Sequence, residues 1–387
     1  MRLTNVARMT LPAGEVHSYA LRVADEPGRR LPVSFDQGRH VGGGDRDGSW
    51  MSIAFRLPEG TARDALADAW HRVVRRHGTL RTAFTRIVGT DELALHDVEV
   101  IGGRWRRHPI PSGALARDVL RVVLDGACRP FSRPSHLLVV VEPDADAADR
   151  RPAVVIGSDH AHVDMWSLLV LVRDLIAGLD GALPESAAGD ISSAAGAVEP
   201  FAVHTALLEA RPPAPAEVTA RWREITRVTR ALSGAPLRAV FPVHSRFEQR
   251  WHDAVGWFIT NSVIECRDAD PAACAAAVRQ AVALGSHPLA PILAPYGGMP
   301  VAPGMFALSW LDTRRLPVDL PPDLQIQYVS SVIESDDVMV WFVVNDSGLH
   351  LRYRCPDTPE ATASVVRWVD AATTALRVLA DAEVAVA

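Results

Sequence analysis

The segment Ser158-Asp159-His160-Ala161-His162-Val163-Asp164 packs two imidazoles and two carboxylates into one short run. A neutral imidazole can take a proton from a hydroxyl or an amine near neutrality, because its unperturbed pKa is about 6.5. The residue types alone leave three chemistries open. Ser and Asp side chains can cap a following helix from a surface turn. Two histidines two apart can converge on one zinc ion, with Asp164 on a second. In a His-x-x-x-Asp reading, His160 is a general base and Asp164, four residues on, fixes the loop or the ring.

Whatever the chemistry, these side chains need rigid supports. Leu137 to Val141 and Ala153 to Gly157 are short and valine-rich, and the turn-rich PDADAADRR separates them, which predicts two strands. Met165 to Leu179 predicts a helix, so the polar segment falls in a strand-to-helix loop. Residues 61–78 predict an earlier helix. Thr61 and Asp64 form a capping-box-like start, Gly78 is the stop, and Ala65, Leu66, Ala69, Trp70, Val73 and Val74 make one apolar stripe.

The small, proline-punctuated stretch 181–200 predicts a linker between an N-terminal lobe (1–180) and a C-terminal lobe (201–387). Beyond it, 251–265 predicts a strand, and 271–284 a helix capped by Asp270 with Pro271 first. Residues 338–344 and 349–354 predict a hairpin around Asn345-Asp346-Ser347-Gly348, and a final helix starts at Thr358-Pro359. Strands and helices mix in both halves, which predicts an α/β class with mixed α+β sheets.

Composition narrows the function. The 387 residues are 48% hydrophobic and 22% charged, the balance of a folded globular protein. A formal net charge of -6 carries no footprint for nucleic acid. All 40 basic residues are arginine, which with abundant alanine points to a GC-rich, actinobacterial coding sequence. It also excludes a lysine Schiff base or a lysine-anchored cofactor. Cys128, Cys266, Cys274 and Cys355 are scattered without a CxxC pair, as expected of reduced thiols in a cytoplasmic protein. No charged-then-apolar secretion pattern opens the chain, and the most apolar stretch, Leu168 to Leu179, is broken by Arg173 and Asp174. No membrane span is expected.

Five segments, in order, resemble the condensation-domain superfamily, which includes nonribosomal peptide condensation domains, chloramphenicol acetyltransferase and mycobacterial polyketide-associated acyltransferases. LPVSFDQGRH (31–40) is similar to its Ser-Phe-x-Gln-x-Arg motif, and RHGTLRTAF (76–84) to its Arg-His-x-x-Leu-Arg-Thr motif. SDHAHVDMWS (158–167) stands in the place of the His-His-x-x-x-Asp-Gly-x-Ser core. VGWFITNSV (255–263) resembles a Gly-x-Phe-Val-Asn strand, and FALSWLDTRRLP (306–317) a Ser-x-x-Asp-x-Arg strand and loop. The metallo-β-lactamase-type metal loop is the weaker match, since that pattern continues with a histidine where this chain has Met165.

The resemblance implies two chloramphenicol-acetyltransferase-like lobes in a V-shaped pseudo-dimer, with donor and acceptor reaching the histidine from opposite faces. His160 would be the catalytic base. Asp164 would be a structural carboxylate paired with an arginine, Arg81 as first candidate and Arg314 as second. Asp159 stands where peptide condensation domains carry their first histidine, and Met165 replaces the motif glycine. Thr260 occupies the strand asparagine position, with Asn261 next. Ser167 matches the motif serine, with a helix-start or a catalytic role, and His162 is a loop residue outside the chemistry. The implied activity moves an acyl group from an acyl-carrier-protein or coenzyme A thioester to a hydroxyl on a small molecule. An amide-forming stand-alone enzyme with an amine acceptor, or a non-catalytic docking module that recruits tailoring enzymes, are the alternatives. No bound metal or cofactor is expected beyond the substrate-borne pantetheine.

Overall fold

The computed structural model describes residues 1–87, 89–90, 92–183, 198–211, 237–266, 270–299 and 306–384. The first half holds strands β1 (Arg2–Asn5), β2 (Gly14–Val23), β3 (Arg30–Leu31), β4 (Trp50–Arg56), β5 (Thr82–Arg86), β6 (Leu93–Asp97), β7 (Val100–His108), β8 (His136–Pro143) and β9 (Ala153–Asp159). Helices α1 (Phe35–Gly42), α2 (Arg63–Arg76), α3 (Ala116–Ala127) and α4 (Met165–Leu179) lie among them. The second half adds strands β10 (Leu237–His244), β11 (Ile259–Cys266), β12 (Phe306–Asp312), β13 (Gln327–Ser330), β14 (Val338–Asn345) and β15 (Gly348–Arg354). Its helices are α5 (Phe201–Glu209), α6 (Pro271–Leu284), α7 (Leu289–Leu293) and α8 (Pro359–Val384).

A seven-stranded sheet runs β1-β13-β4-β9-β8-β2-β7, so a strand from the second half is threaded between β1 and β4. The β1–β13 pair is parallel and the rest antiparallel. Strand β9 is its middle member, and every residue of β9 is buried. Side chains alternate across a strand, so Val154 and Ile156 join the core built by Trp70 and Val73 of α2 and Leu168 and Leu171 of α4. Ala153 and Val155 face the other way, into the core around Leu120 and Leu124 of α3. Each such aliphatic side chain taken out of water contributes about 1.5–3 kcal/mol. A Cβ on Gly157 would come 2.5 Å from Leu124 Cδ2, so glycine is what lets α3 lie this close just before the loop. The strand that delivers the polar loop is therefore held on both faces and both edges. Two further sheets, β11-β10-β12-β14-β15 and β3-β6-β5, complete the mixed α/β architecture.

Strands β8 and β9, helices α4 and α6, the β14–β15 hairpin and the start of α8 fall where the sequence places them. Three details differ. Helix α2 starts at Arg63 without a side-chain cap, because the Thr61 hydroxyl donates to the Pro58 carbonyl instead. Ala65 is exposed and Ala67 takes its place on the buried stripe. The strand expected over 251–265 is formed only from Ile259. Before it, backbone groups of Ala254, Gly256 and Phe258 bond to side chains of the polar loop and its partners, which leaves them unavailable to a neighbouring strand. Most of the expected linker, residues 184–197, lies outside the described residues. Among the described residues, no helix is long and apolar enough to cross a membrane.

Candidate active site

Strand β9 ends at Asp159, and α4 begins at Met165, so His160 to Asp164 form a tight connection between two buried elements. The partly exposed His160 ring has Nδ1 at 2.8 Å from the Val163 carbonyl oxygen. A carbonyl can only accept, so Nδ1 carries the ring proton and Nε2 is the basic nitrogen. The imidazole lies flat on the Trp257 indole, with centroids 4.0 Å and planes 10° apart. Burial, and then the neighbouring His40, hold its pKa below the ordinary imidazole value. That shift favours the neutral ring, the form that accepts a proton.

Asp164 is the N-cap of α4, its Oδ1 accepting the Ser167 amide at 2.7 Å. Its Oδ2 accepts Arg246 Nη1 at 2.5 Å and the Phe258 amide at 3.0 Å. Burial alone would raise this carboxyl's pKa, but the Arg246 charge and the hydrogen bonds outweigh it and hold the pKa below its usual value. Arg246 is itself buried, with its guanidinium 4.0 Å from the Phe258 ring centroid. It donates further to Ser167 Oγ at 2.8 Å and to the Trp251 and Ala254 carbonyls at 3.2 and 3.0 Å. The partner of Asp164 is thus neither Arg81 nor Arg314. Exposed Arg314 pairs with Asp312 at 2.8 Å, and Arg81 Nε has no hydrogen-bond partner among the described residues. Ser167 Oγ donates to the Gly256 carbonyl at 2.9 Å and accepts the Gly256 amide at 3.1 Å. With Arg246 as its third partner, that hydroxyl ties the two halves together and is already saturated. Met165 packs its side chain against the α2–α4 core.

The motif-like segments surround this loop. Ser34 and Gln37 make a reciprocal capping box that starts α1, and Gln37 Nε2 reaches the Ala161 carbonyl at 2.8 Å. Thr79 donates to the Val255 carbonyl at 2.6 Å, and Arg76 and His77 both reach Asp174 of α4 at 2.9 Å. Asn261 Nδ2 donates to Asp36 Oδ1 at 3.1 Å, another contact between halves. His40 Nε2 lies 3.1 Å from each oxygen of Asp159. Burial would raise the pKa of Asp159, yet the hydrogen bond from His40 outweighs it and holds the carboxyl below the usual range.

His162 is buried, with Nδ1 at 2.9 Å from Ser135 Oγ and its pKa pushed down to about 4 by burial. Its ring packs against Phe84, with centroids 5.4 Å apart. Among the described residues, the side chains close enough together to share a metal ion are Glu15, His17 and Glu142, none of them in this loop. Sequence reasoning missed Arg246, Trp257 and His40. The last two stand inside recognised segments at positions where aromatic character alone says nothing of role. Arg246, 82 residues beyond its partner, carries no local signal at all.

No family model matches the chain. A segment of 146 residues, 36% of this chain, is 33% identical to nonribosomal peptide synthetase ungA of Aspergillus violaceofuscus. It spans only 2% of that synthetase. Among solved structures, PapA2 acyl transferase superposes with a TM-score of 0.74 at 16% identity, covering 96% of this chain and 98% of that one. The X-domain from teicoplanin biosynthesis gives 0.60 at 16% identity over 89% and 94% of the two chains. The fold is chloramphenicol-acetyltransferase-like, as in these two structures.

Proposed function

We propose that this chain is an acyltransferase that moves an acyl group from a pantetheine thioester, on an acyl carrier protein or on coenzyme A, to a hydroxyl. His160 serves as the base. The observation that carries this reading is the locked tautomer: the Val163 carbonyl takes the Nδ1 proton, which leaves Nε2 as the basic nitrogen of the ring. Nε2 takes the proton of the acceptor hydroxyl as its oxygen attacks the thioester carbonyl. The tetrahedral intermediate then collapses, the carbon–sulfur bond breaks, and the leaving thiolate takes the proton back from the imidazolium. Asp164 and Arg246 touch no substrate in this scheme and hold the loop. An ester product is favoured over an amide because Asp159 stands at the position where peptide condensation domains carry a histidine. The setting is cytoplasmic natural-product or lipid biosynthesis.

The test is intact-protein mass spectrometry of acyl-loaded carrier proteins, incubated with the chain and a panel of hydroxyl and amine acceptors. Acyl loss that depends on the acceptor supports the transfer, and the acceptor consumed separates ester from amide. General-base help contributes roughly 10²–10⁴-fold, so His160→Ala should lose that factor in turnover while keeping its circular dichroism. Equal turnover in wild type and His160→Ala would remove the base. No transfer with any acceptor would leave a docking module as the reading.

A further inference from the structure

We propose that His40 is a positioning residue for His160, acting through Asp159: the pair forms a carboxylate–imidazole brace under the loop. The proposal rests on the reading of His160 as the base. Asp159 is wholly buried, and a buried carboxylate persists only when its oxygens are bonded. His40 Nε2 supplies both oxygens at 3.1 Å, and Asp159 Oδ1 also accepts the Ala161 amide at 2.9 Å. The Ala161 carbonyl is taken by Gln37, so both backbone groups of the residue after His160 are held, directly or through Asp159, by side chains of α1. Arg46 Nη2 donates to His40 Nδ1 at 2.8 Å, which fixes the ring proton on Nε2, where Asp159 needs it.

The brace also sets the charge beside the base. The His40 and His160 centroids are 6.1 Å apart, and both rings pack on Trp257, His40 at 5.2 Å. Among the described residues, Asp159, Arg46, His160 and His162 are the charged and titratable groups recorded against His40, and His40 and Asp159 those recorded against His160. The Asp159 carboxylate favours the imidazolium that forms when His160 takes a proton, and the His40 hydrogen bond helps keep that buried carboxylate ionised. Both His40 nitrogens are engaged, so His40 has none to offer a substrate.

The experiment is a titration of the His160 ring by nitrogen-15 NMR of histidine-labelled protein, with the signal assigned by its loss in His160→Gln. His40→Ala leaves Asp159 without its imidazole donor, His40→Gln keeps a donor, and Asp159→Asn keeps an acceptor but loses the charge. Asp159→Asn and His40→Ala should each lower the His160 midpoint, by about one pH unit, while His40→Gln should keep it near the wild-type value. An Asp159→Asn or His40→Ala midpoint at or above wild type, or a His40→Gln midpoint as low as that of His40→Ala, overturns the proposal. Should Asp159→Asn not fold, the two His40 variants decide alone, a fall in His40→Ala that His40→Gln reverses supporting the brace and equal midpoints refuting it. No substrate is involved, so a His160→Ala variant with full turnover would sink the base while leaving this result standing.

Discussion

Replacing Arg246 by alanine removes the cation from a buried ion pair without touching His160. The guanidinium donates to Asp164, Ser167 and two backbone carbonyls, all buried with it. Deleting one partner of such a pair costs about 3–5 kcal/mol, because the other charge is left in a low-dielectric site. Asp164 keeps the Ser167 and Phe258 amides, which places the expected loss near the lower end. At about 1.4 kcal/mol per factor of ten, the unfolded fraction rises roughly 10²-fold or more. The sign of the pH dependence is the sharper test. In the native protein the Asp164 pKa is depressed, so its contribution is present above the unfolded value of about 3.9 and is lost as pH falls through the folded value. Without Arg246, burial pushes the same pKa above the unfolded value. The ionised carboxyl then destabilises at neutral pH, and the deficit shrinks as pH falls through the raised value. Urea unfolding at pH 7.5 and 5.0 measures both. A deficit under about 1 kcal/mol at pH 7.5, or one that is unchanged or larger at pH 5.0, would refute the reasoning. Asp164→Asn combined with Arg246→Met should recover part of the loss.

Three further outcomes follow from the same geometry. Asp164→Ala should lose folding along with turnover; a soluble, fully folded variant that lost only turnover would show that the carboxylate acts in the chemistry. Asp36, buried between α1 and β11, has its pKa pushed up to about 6 by burial, against the pull of Arg39 and the hydrogen bonds from Thr260 and Asn261. A raised acid destabilises where it is ionised, so Asp36→Asn should add on the order of 1–3 kcal/mol at pH 7.5 and almost nothing near pH 4, read by urea midpoints. Trp257→Ala exposes the stacked His160 ring to water. Burial is the main cause of that ring's lowered pKa, so the acid limb of the rate profile should move to higher pH, and a limb that stays or moves down contradicts the stacking argument.

The sequence by itself determined the elements and the loop. Short valine-rich runs bounded by turn residues specified β8 and β9, apolar periodicity specified α2, and Asp270-Pro271 specified the start of α6, because propensity, period and capping are local properties. The same locality placed His160 between a strand and a helix. What the sequence could not decide is which distant group neutralises a buried one. Asp164 needs a cation, and the 40 arginines are indistinguishable until the chain closes. Only the tertiary fold brings Arg246, Gly256 and Phe258 against α4, lays Trp257 on His160, threads β13 into the first-half sheet and sets His40 under Asp159. Desolvation makes each of those pairings obligatory, and desolvation is a property of the packed interior, not of any stretch of residues.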